Sequence, residues 1–489
     1  MRALQALGHR RVGIVLSLLL ALTAVTGCTV GPDYRPPDTT QVMQDTWQME
    51  GSEPFAHRPP LTSWWRQFHD AQLTGLVHRL VSSSLALEQA RQRVAEVNAK
   101  YGVIGADKQL QLAAALGYTH AETGDETVSL QGLPPGRSLD VYSAGITAGW
   151  EIDLWGKTTR QLEAAEADIR AGYADFQSML VSLAAEMTLA YIDARTFEAR
   201  LDTIHKHIEL QQETLKLAQS RYQAGNGTAL SVLHTQRLLE STRSRVPELE
   251  RALSVAKNRI KILLGRPPRD EVLQPGPMPA VPDMIGLGLP ADLLTRRPDI
   301  RRAFHRFHAA VARIGAAEAQ RYPALSLSGT LTLSSDTPDG VLDIDSLMYS
   351  LGPGIHFPIL TGHRIESTLA VRSAQAEQAR LAIEQKIVTA LAEVENAAQG
   401  AIRSQQQADR LAGAEKLAIK SVELSDSLYR SGLVDFSEVL DNEQELVALQ
   451  ESLLLARQQA LSEVVRLYRA LGGGWEQTED NLKAHGEDQ

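Results

Sequence analysis

Residues 217–225 read Leu-Ala-Gln-Ser-Arg-Tyr-Gln-Ala-Gly, and residues 424–432 read Leu-Ser-Asp-Ser-Leu-Tyr-Arg-Ser-Gly. At the same offset of 207 residues, Val232-Leu233 matches Val439-Leu440. Such self-similarity predicts a duplicated chain with two structural repeats. The boundaries that we assign are 67–264 for the first repeat, 265–289 for a connector, 290–471 for the second repeat and 472–489 for a tail.

Upstream of each copy lies a long segment that contains no proline. In the first, apolar and small side chains from Leu162 to Tyr222 recur at alternating steps of three and four residues, with a break at Gln211. This spacing is typical of coiled-coil helices. We therefore predict long helices over 156–222 and 362–430, each roughly 100 Å long at a rise of about 1.5 Å per residue.

Glycines mark where each long helix ends. Gly225 and Gly432 supply left-handed caps, after which the chain can turn back. We predict return helices over 228–264 and 435–471, the second opened by a capping box formed by Asp435 and Glu438.

Between the helices, four segments alternate apolar and polar residues, as membrane-spanning strands do, although an ordinary half-buried sheet has the same period. They lie at about 112–122, 139–154, 323–335 and 347–360. Four strands leave two open edges, and the smallest outer-membrane barrels have about eight strands, so several copies must combine. Glu151 and Asp153, two residues apart on a predicted strand, are expected to be lumenal acids.

The N-terminal residues resemble a secretion signal. Basic residues precede an apolar run of about 14 residues, which is too short to span a bilayer as a helix. The run ends near Cys28, the only cysteine of the chain, in a pattern that resembles a bacterial lipobox. The alternative is an ordinary signal peptide with an incidental cysteine. The lipobox implies a signal peptide at 1–27, a covalent lipid such as palmitate on Cys28, a tether at 28–66 and, because Thr29 follows, an outer-membrane destination.

Composition narrows the possible functions. The 489 residues carry a net charge of −10, which argues against a basic nucleic-acid surface, and one cysteine excludes a disulfide framework. The mean hydropathy of −0.19 is too polar for a polytopic helical membrane protein. Gly156-Lys157-Thr158 resembles the end of a phosphate-binding loop, but Glu151 stands where that motif requires glycine. We expect no catalytic residue, no metal and no cofactor besides the lipid.

Five motifs together resemble a known family, the outer-membrane efflux proteins of the TolC type. They are Cys28-Thr-Val-Gly-Pro-Asp-Tyr34, Trp64-Trp65-Arg-Gln-Phe68, Trp150-Glu-Ile-Asp-Leu-Trp-Gly156, Leu293-Leu-Thr-Arg-Arg-Pro-Asp-Ile300 and Ala312-Arg-Ile-Gly-Ala-Ala317. The similarity is greatest to the lipoprotein branch (OprM- and NodT-like) that serves resistance-nodulation-division (RND) multidrug pumps.

The resemblance implies an α+β membrane protein that works as a homotrimer. Each chain would give four strands to a 12-stranded outer-membrane β-barrel, which continues into a periplasmic α-helical barrel. The implied function is the exit duct of a tripartite efflux pump. Such a duct passively exports substrates that an inner-membrane RND transporter and a periplasmic adaptor protein deliver.

The resemblance also implies a gate at the helical tips. Its residues would be Ser437 and Asp441, with Leu230 and His234 as the first-half equivalents. Ser437 stands where a well-known drug-efflux relative has leucine, which puts a hydrophobic gate ring in question, and Asp441 could equally be a solvated helix-face acid. Candidates for closing the tip or meeting the adaptor are Gly225, Gly432, Arg221, Tyr222, Tyr429 and Arg430.

Two other functions remain open from the sequence. One is a lipid-anchored periplasmic coiled-coil scaffold without a pore, although a scaffold has no need of strands with a polar face. The other is a duct for type I protein secretion or metal efflux. The sequence does not separate these cargoes, because the pump selects what a wide duct carries.

Overall fold

The structure is a computed structural model of the 489-residue chain. It describes residues 29–48, 55–56, 62–124, 136, 138–282 and 285–475. The predicted signal peptide at 1–27 and the lipidation site Cys28 lie outside these residues.

Nine α-helices occur in the described residues. They are α1 (Ala71–Ser83), α2 (Leu85–Ala106), α3 (Lys157–Gln223), α4 (Ala229–Arg243), α5 (Val246–Leu263), α6 (Leu293–Arg296), α7 (Pro298–Glu318), α8 (Arg364–Arg430) and α9 (Phe436–Ala470). Among the residues described, no helix combines the length and apolar character needed to cross a membrane.

Helices α3 and α8 have 67 residues each. Their bounds lie within two residues of the predicted 156–222 and 362–430. Each begins just after a glycine with positive φ, Gly156 or Gly362, and ends just before another, Gly225 or Gly432. Glycine adopts this left-handed conformation without the steric cost that other residues meet, so it fixes where the chain changes direction.

The return helix predicted over 228–264 is wrong as one helix. The chain forms α4 and α5 instead, interrupted at Ser244 and Arg245. Pro247 lies in the first turn of α5, where its missing N–H costs nothing, whereas inside a continuous helix it would remove a backbone hydrogen bond. The second return helix has no proline and runs unbroken as α9.

The capping box predicted at Asp435 is also wrong. Asp435 stands at the N-cap of α9, but its side chain makes no capping hydrogen bond. The equivalent cap of α4 is satisfied, because the Thr228 hydroxyl accepts a hydrogen bond from the Ser231 N–H at 3.1 Å.

Six strands are present in the described residues. They are β1 (Phe55–Ala56), β2 (Gln111–Glu122), β3 (Ser138–Ile152), β4 (Ile285–Gly286), β5 (Ala324–Ser335) and β6 (Leu347–His356). Strands β2, β3, β5 and β6 form one antiparallel sheet in that order, and β1 pairs with β4 in parallel. Strand β6 ends at His356, four residues before the predicted boundary at 360.

The chain divides into two compact units. One contains the four-stranded sheet within residues 94–172 and 303–382, and its helices pack through a buried alanine cluster: Ala164, Ala167, Ala309 and Ala312. The other contains residues 38–93, 173–302 and 383 onward. Its core includes Trp64, which stacks on Tyr468 with ring centroids 5.2 Å apart.

Candidate functional site

One face of the four-stranded sheet is apolar from edge to edge. Its β3 residues from Ala144 to Ile152 lie in register with four leucines and Gly329 of β5, and these residues oppose apolar residues of β6. The apolar side chains of this face are Leu112, Leu116, Ile146, Trp150, Leu325, Leu327, Leu331, Leu333, Leu347, Tyr349, Leu351 and Ile355. Leu116 is 88% exposed and Ile355 75% exposed in the single chain. A large exposed apolar face of this kind indicates a membrane or partner surface.

The opposite face carries hydroxyl groups and glycines. On β3, β5 and β6 it includes Ser143, Gly145, Thr147, Gly149, Glu151, Ser326, Ser328, Thr330, Thr332, Ser334, Ser350, Gly352 and Gly354, together with Met348. Thr330 and Ser350 share a hydrogen bond of 2.7 Å between their hydroxyls. Hydroxyl groups both donate and accept hydrogen bonds, so such a surface interacts well with water.

Aromatic side chains stand near both ends of the apolar face. Tyr118 and Tyr142 lie with ring centroids 4.9 Å apart near one end, and Trp150 near the other donates its Nε1–H to the Lys108 carbonyl oxygen at 2.9 Å. Along β3, the step from Tyr142 to Trp150 corresponds to about 26 Å, or about 20 Å in height if the strand tilts by about 40°. This is close to the apolar band of roughly 25 Å in outer-membrane barrels, which is flanked by aromatic girdles.

The sheet is open at two edges. Within the described residues, β2 pairs only with β3, and β6 pairs only with β5. Unpaired backbone N–H and C=O groups along such edges favour pairing with another chain.

The two predicted lumenal acids have different environments. Glu151 lies on the hydroxyl face, and the Lys157 ammonium donates a hydrogen bond to its carboxylate at 2.9 Å. Asp153 lies one residue beyond the end of β3 at Ile152, so the same-face spacing does not reach it, and its place in the lumen stays a prediction. Its carboxylate accepts hydrogen bonds from the backbone N–H groups of Thr158 (3.1 Å) and Thr159 (2.8 Å), and so caps α3.

The segment that follows the proposed lipidation site is held against the start of α3. The Val30 N–H donates to the Trp155 carbonyl oxygen at 3.2 Å, and the buried Arg160 guanidinium donates to the Asp33 carboxylate at 2.6 Å. Tyr34 stacks on His308 with ring centroids 4.2 Å apart. These contacts hold the first of the five motifs, which contains Val30 and Tyr34, against the motif that ends at Gly156.

At the tip, the structure brings together residues from the ends of both long helices. The Arg221 guanidinium lies 4.3 Å from the centroid of the Tyr429 ring, and that ring lies 4.9 Å from the ring of Phe436. Arg430 pairs with Asp426 at 2.9 Å on α8, while the Tyr222 side chain is half exposed. Beneath them lies a buried cluster: Ala218, Leu238, Phe436, Val439 and Leu440.

The four gate candidates lie on the surface of the single chain. Leu230 and His234 are one turn apart on α4, and Ser437 and Asp441 are one turn apart on α9. All four are exposed. In the part of the chain that the structure describes, their side chains form no hydrogen bond or ion pair, so they remain available to a partner.

Sequence reasoning missed Glu443, a buried acid close to the same tip. It is 4% exposed, and the Thr214 hydroxyl donates to its Oε1 at 3.2 Å. Burial raises the pKa of Glu443 to about 7, and the nearby Asp426 adds to the increase. The signal was present in the sequence, because Glu443 continues the apolar spacing of Val439 and Leu440 toward Leu446.

Comparisons of the sequence and of the structure with known proteins both identify outer-membrane efflux proteins as similar to this chain. The sequence profile of the family described as "Outer membrane efflux protein" matches residues 76–266 and 289–473. Nodulation protein T of Rhizobium leguminosarum bv. viciae is 29% identical over 469 residues, covering 95% of this chain and 94% of the relative. Toluene efflux pump outer membrane protein TtgF of Pseudomonas putida is 30% identical over 492 residues, covering 94% of this chain and 97% of the relative. The solved structure of the outer-membrane channel OprN has a TM-score of 0.84 at 30% identity, covering 92% of this chain and all of that one.

Proposed function

This chain belongs to the outer membrane efflux protein family, and from that premise we propose that three copies form the exit duct of a tripartite efflux pump. The protein is an outer-membrane efflux channel that extends into the periplasm, and it is not an enzyme. In the proposed assembly, an inner-membrane RND transporter and a periplasmic adaptor deliver the substrate. The duct itself exports it passively, and the pump selects the cargo.

The four-stranded sheet is the observation that carries this proposal. It has an apolar face, a hydroxyl-rich face and two unpaired edges. Pairing the β2 edge of one copy with the β6 edge of the next satisfies both edges at once. Three copies would close a barrel of twelve strands, with the apolar face toward lipid and the hydroxyl face toward a water-filled lumen.

The long helices supply the periplasmic part of the proposed duct. Helices α3 and α8, with the return helices α4, α5 and α9, would line a helical barrel. At its tip, Ser437 and Asp441 with Leu230 and His234 would form the gate. A further set of tip residues would either stabilise the closed state or contact the adaptor. They are Arg221, Tyr222, Tyr429 and Arg430, with the turns at Gly225 and Gly432.

We also propose that Cys28 carries a covalent lipid. The residues just after it support this, since Val30 and Asp33 are bound at Trp155 and Arg160 where the sheet meets α3.

Two measurements on the purified full-length protein test the duct. Native mass spectrometry in detergent should give the mass of a trimer, and planar bilayers should show ion-conducting channels. Asp441→Ala should increase the open fraction, because it removes the carboxylates that would accept hydrogen bonds from neighbouring chains in the closed gate. A protein that stays monomeric and does not conduct, even as Asp441→Ala, would overturn the proposal.

A further inference from the structure

Glu443 is buried in the apolar seam by which α9 packs at the tip. One carboxylate oxygen, Oε1, accepts a hydrogen bond from Thr214 of α3. The other oxygen, Oε2, is buried without a partner. A buried ionised carboxylate left in this state is destabilising, whereas the protonated form carries no charge and avoids most of that penalty.

The charged groups around Glu443 do not compensate the negative charge that its ionised carboxylate would carry. The cavity beside it is lined by α3, α8 and α9, and the charged residues that face it are Glu213 of α3 and Glu423, Asp426 and Arg430 of α8. Among the described residues, Arg430 is the one cation of this lining, and it already pairs with Asp426 at 2.9 Å. In the same part of the chain, α4 contributes no charged side chain to the lining. The balance of charge therefore favours a neutral Glu443.

A second polar group in the same seam makes the tip sensitive to a small change in packing. Gln211 of α3 is 1% exposed, and neither polar atom of its amide has a partner. It lies one helical turn from Thr214 and is the residue at which the apolar spacing of α3 breaks. The packing of α9 on α3 thus includes unsatisfied polar groups close to the proposed gate.

We infer that Glu443 is a proton-binding site, and that losing this proton loosens α9 at the tip and favours opening of the gate. The inference rests on the proposed function, because it describes the regulation of the same gate. The proton fits this site better than a metal ion does, since no group of three or more potential metal ligands is assembled in the described residues.

The pH range over which the tip should loosen follows from the raised pKa of Glu443. Burial raises the pKa of Glu443 from 4.5 to about 7, so the packed tip holds a proton that the opened tip releases. The packed tip is therefore fully favoured below about pH 4.5 and loses stability as the pH rises to about 7. In that range the opening equilibrium should increase by up to about tenfold per pH unit, and above it the increase should stop.

Hydrogen exchange of the full-length protein in detergent tests the inference directly. After correction for the intrinsic pH dependence of exchange, residues 436–446 of the wild type should lose protection by tens of fold between pH 5 and pH 7.5. Glu443→Gln, which is always neutral, should stay protected across this range. The matched control is Glu423→Gln, which removes an exposed acid of the same cavity and should keep the wild-type profile.

The opposite results would overturn the inference: wild-type protection that does not change with pH, or a Glu443→Gln profile that changes like the wild type. If Glu443→Gln does not fold, Thr214→Val serves instead. It removes the hydrogen bond that lowers the pKa of Glu443, so the transition should move to higher pH, and an unmoved transition contradicts the inference.

Planar-bilayer recordings separate this inference from the proposed function. The open fraction of wild-type channels should rise between pH 5 and pH 7.5, and that of Glu443→Gln should stay low. Channels that conduct but respond to pH alike in both proteins would overturn only the role of Glu443. A protein that never conducts would overturn the duct, while hydrogen exchange would still report on the proton.

Discussion

At the scale of single residues, Arg297 is a buried charge with many partners. It is 8% exposed, donates two hydrogen bonds to Asp299 (3.0 and 2.9 Å) and one to Glu393 (2.7 Å), and also binds the Ala470 carbonyl oxygen at the end of α9. Burial by itself would raise the pKa of Asp299, but the bonds from Arg297 lower it below its usual value. One side chain thus fastens the start of α7 to α8 and α9.

Arg297→Ala should destabilise the protein by up to about 3–5 kcal/mol, because it leaves the partly buried Asp299 carboxylate without its partner. The expected observation is a large decrease in the thermal denaturation midpoint in detergent. Arg466→Ala is the control, since the Arg466 side chain is about half exposed and its pair with Glu463 should contribute less than about 1 kcal/mol. Equal denaturation midpoints for the two variants would contradict the conclusion that Arg297 stabilises the fold more than an exposed ion pair does.

A second residue-scale prediction concerns Gly31. It has a φ of 89°, and a Cβ at this position would collide with the backbone of Gly315. Gly31→Ala should cost at least about 1–2 kcal/mol for the left-handed backbone alone and should displace the segment around Val30. We expect faster proteolysis before Tyr34 and a lower denaturation midpoint.

Gly75→Ala provides the control for Gly31→Ala. Gly75 lies within α1, and a Cβ there would have no atom within 4 Å. Alanine favours a helix over glycine by about 0.5–1 kcal/mol, so this variant should be slightly more stable than the wild type. If Gly31→Ala behaves like Gly75→Ala, the close approach of Gly31 to Gly315 is not needed for the fold.

At the scale of elements, the aromatic contact at the tip joins α3 to the end of α8 and the start of α9. Arg221 lies over the Tyr429 ring, and Tyr429 packs on Phe436. A cation–π contact at a partly exposed site contributes about 0.5–1 kcal/mol, and an aromatic pair about as much again. The contact is thus strong enough to hold the tip and weak enough for a partner to release it.

Tyr429→Ala should therefore increase the open fraction of channels in planar bilayers, because both contacts are lost together. Tyr429→Phe keeps the ring and should behave like the wild type. An increase in Tyr429→Phe as large as that in Tyr429→Ala would assign the effect to the hydroxyl group and contradict the proposed packing role.

The sequence predicted the elements best where one local pattern dominates. The absence of proline and the steps of three and four residues located α3 and α8, and period-two alternation located the four strands of the sheet. The prediction from sequence failed where a side chain contacts a residue outside its own segment. Asp153 turns back to cap α3, and the Thr214 hydroxyl of α3 reaches Glu443 of α9. The spacing within one segment does not contain such contacts.

The candidate site was predictable to a similar degree. The residues at the tip were identified from the repeat and from the family resemblance, and the family itself is confirmed. The contact between Arg221 and Tyr429 could not be predicted, because it depends on how two segments some 200 residues apart in sequence are aligned. The gate pairs stay a prediction, since Ser437 and Asp441 would acquire partners only in an assembly of several chains.

At the scale of the whole molecule, two features would attach the protein to the membrane by different physical means. The apolar face of the sheet would be held by lipid on its outer side and by strand pairing at its edges, and this attachment is independent of any acyl chain. A single acyl chain, by contrast, gives only marginal and reversible binding. The sheet should therefore provide most of the attachment, and the lipid on Cys28 should add to it.

Cys28→Ala, expressed with a cleavable signal peptide, separates the two contributions. Because the strands remain, the variant should stay in the outer-membrane fraction after washing with carbonate or urea and should require detergent for extraction, like the wild type. It should lose the mass of the acyl groups, which a lipid-labelling experiment measures. If Cys28→Ala is instead released as a folded, water-soluble species, the strands do not span the membrane, and the lipid-anchored scaffold becomes the better interpretation of the chain.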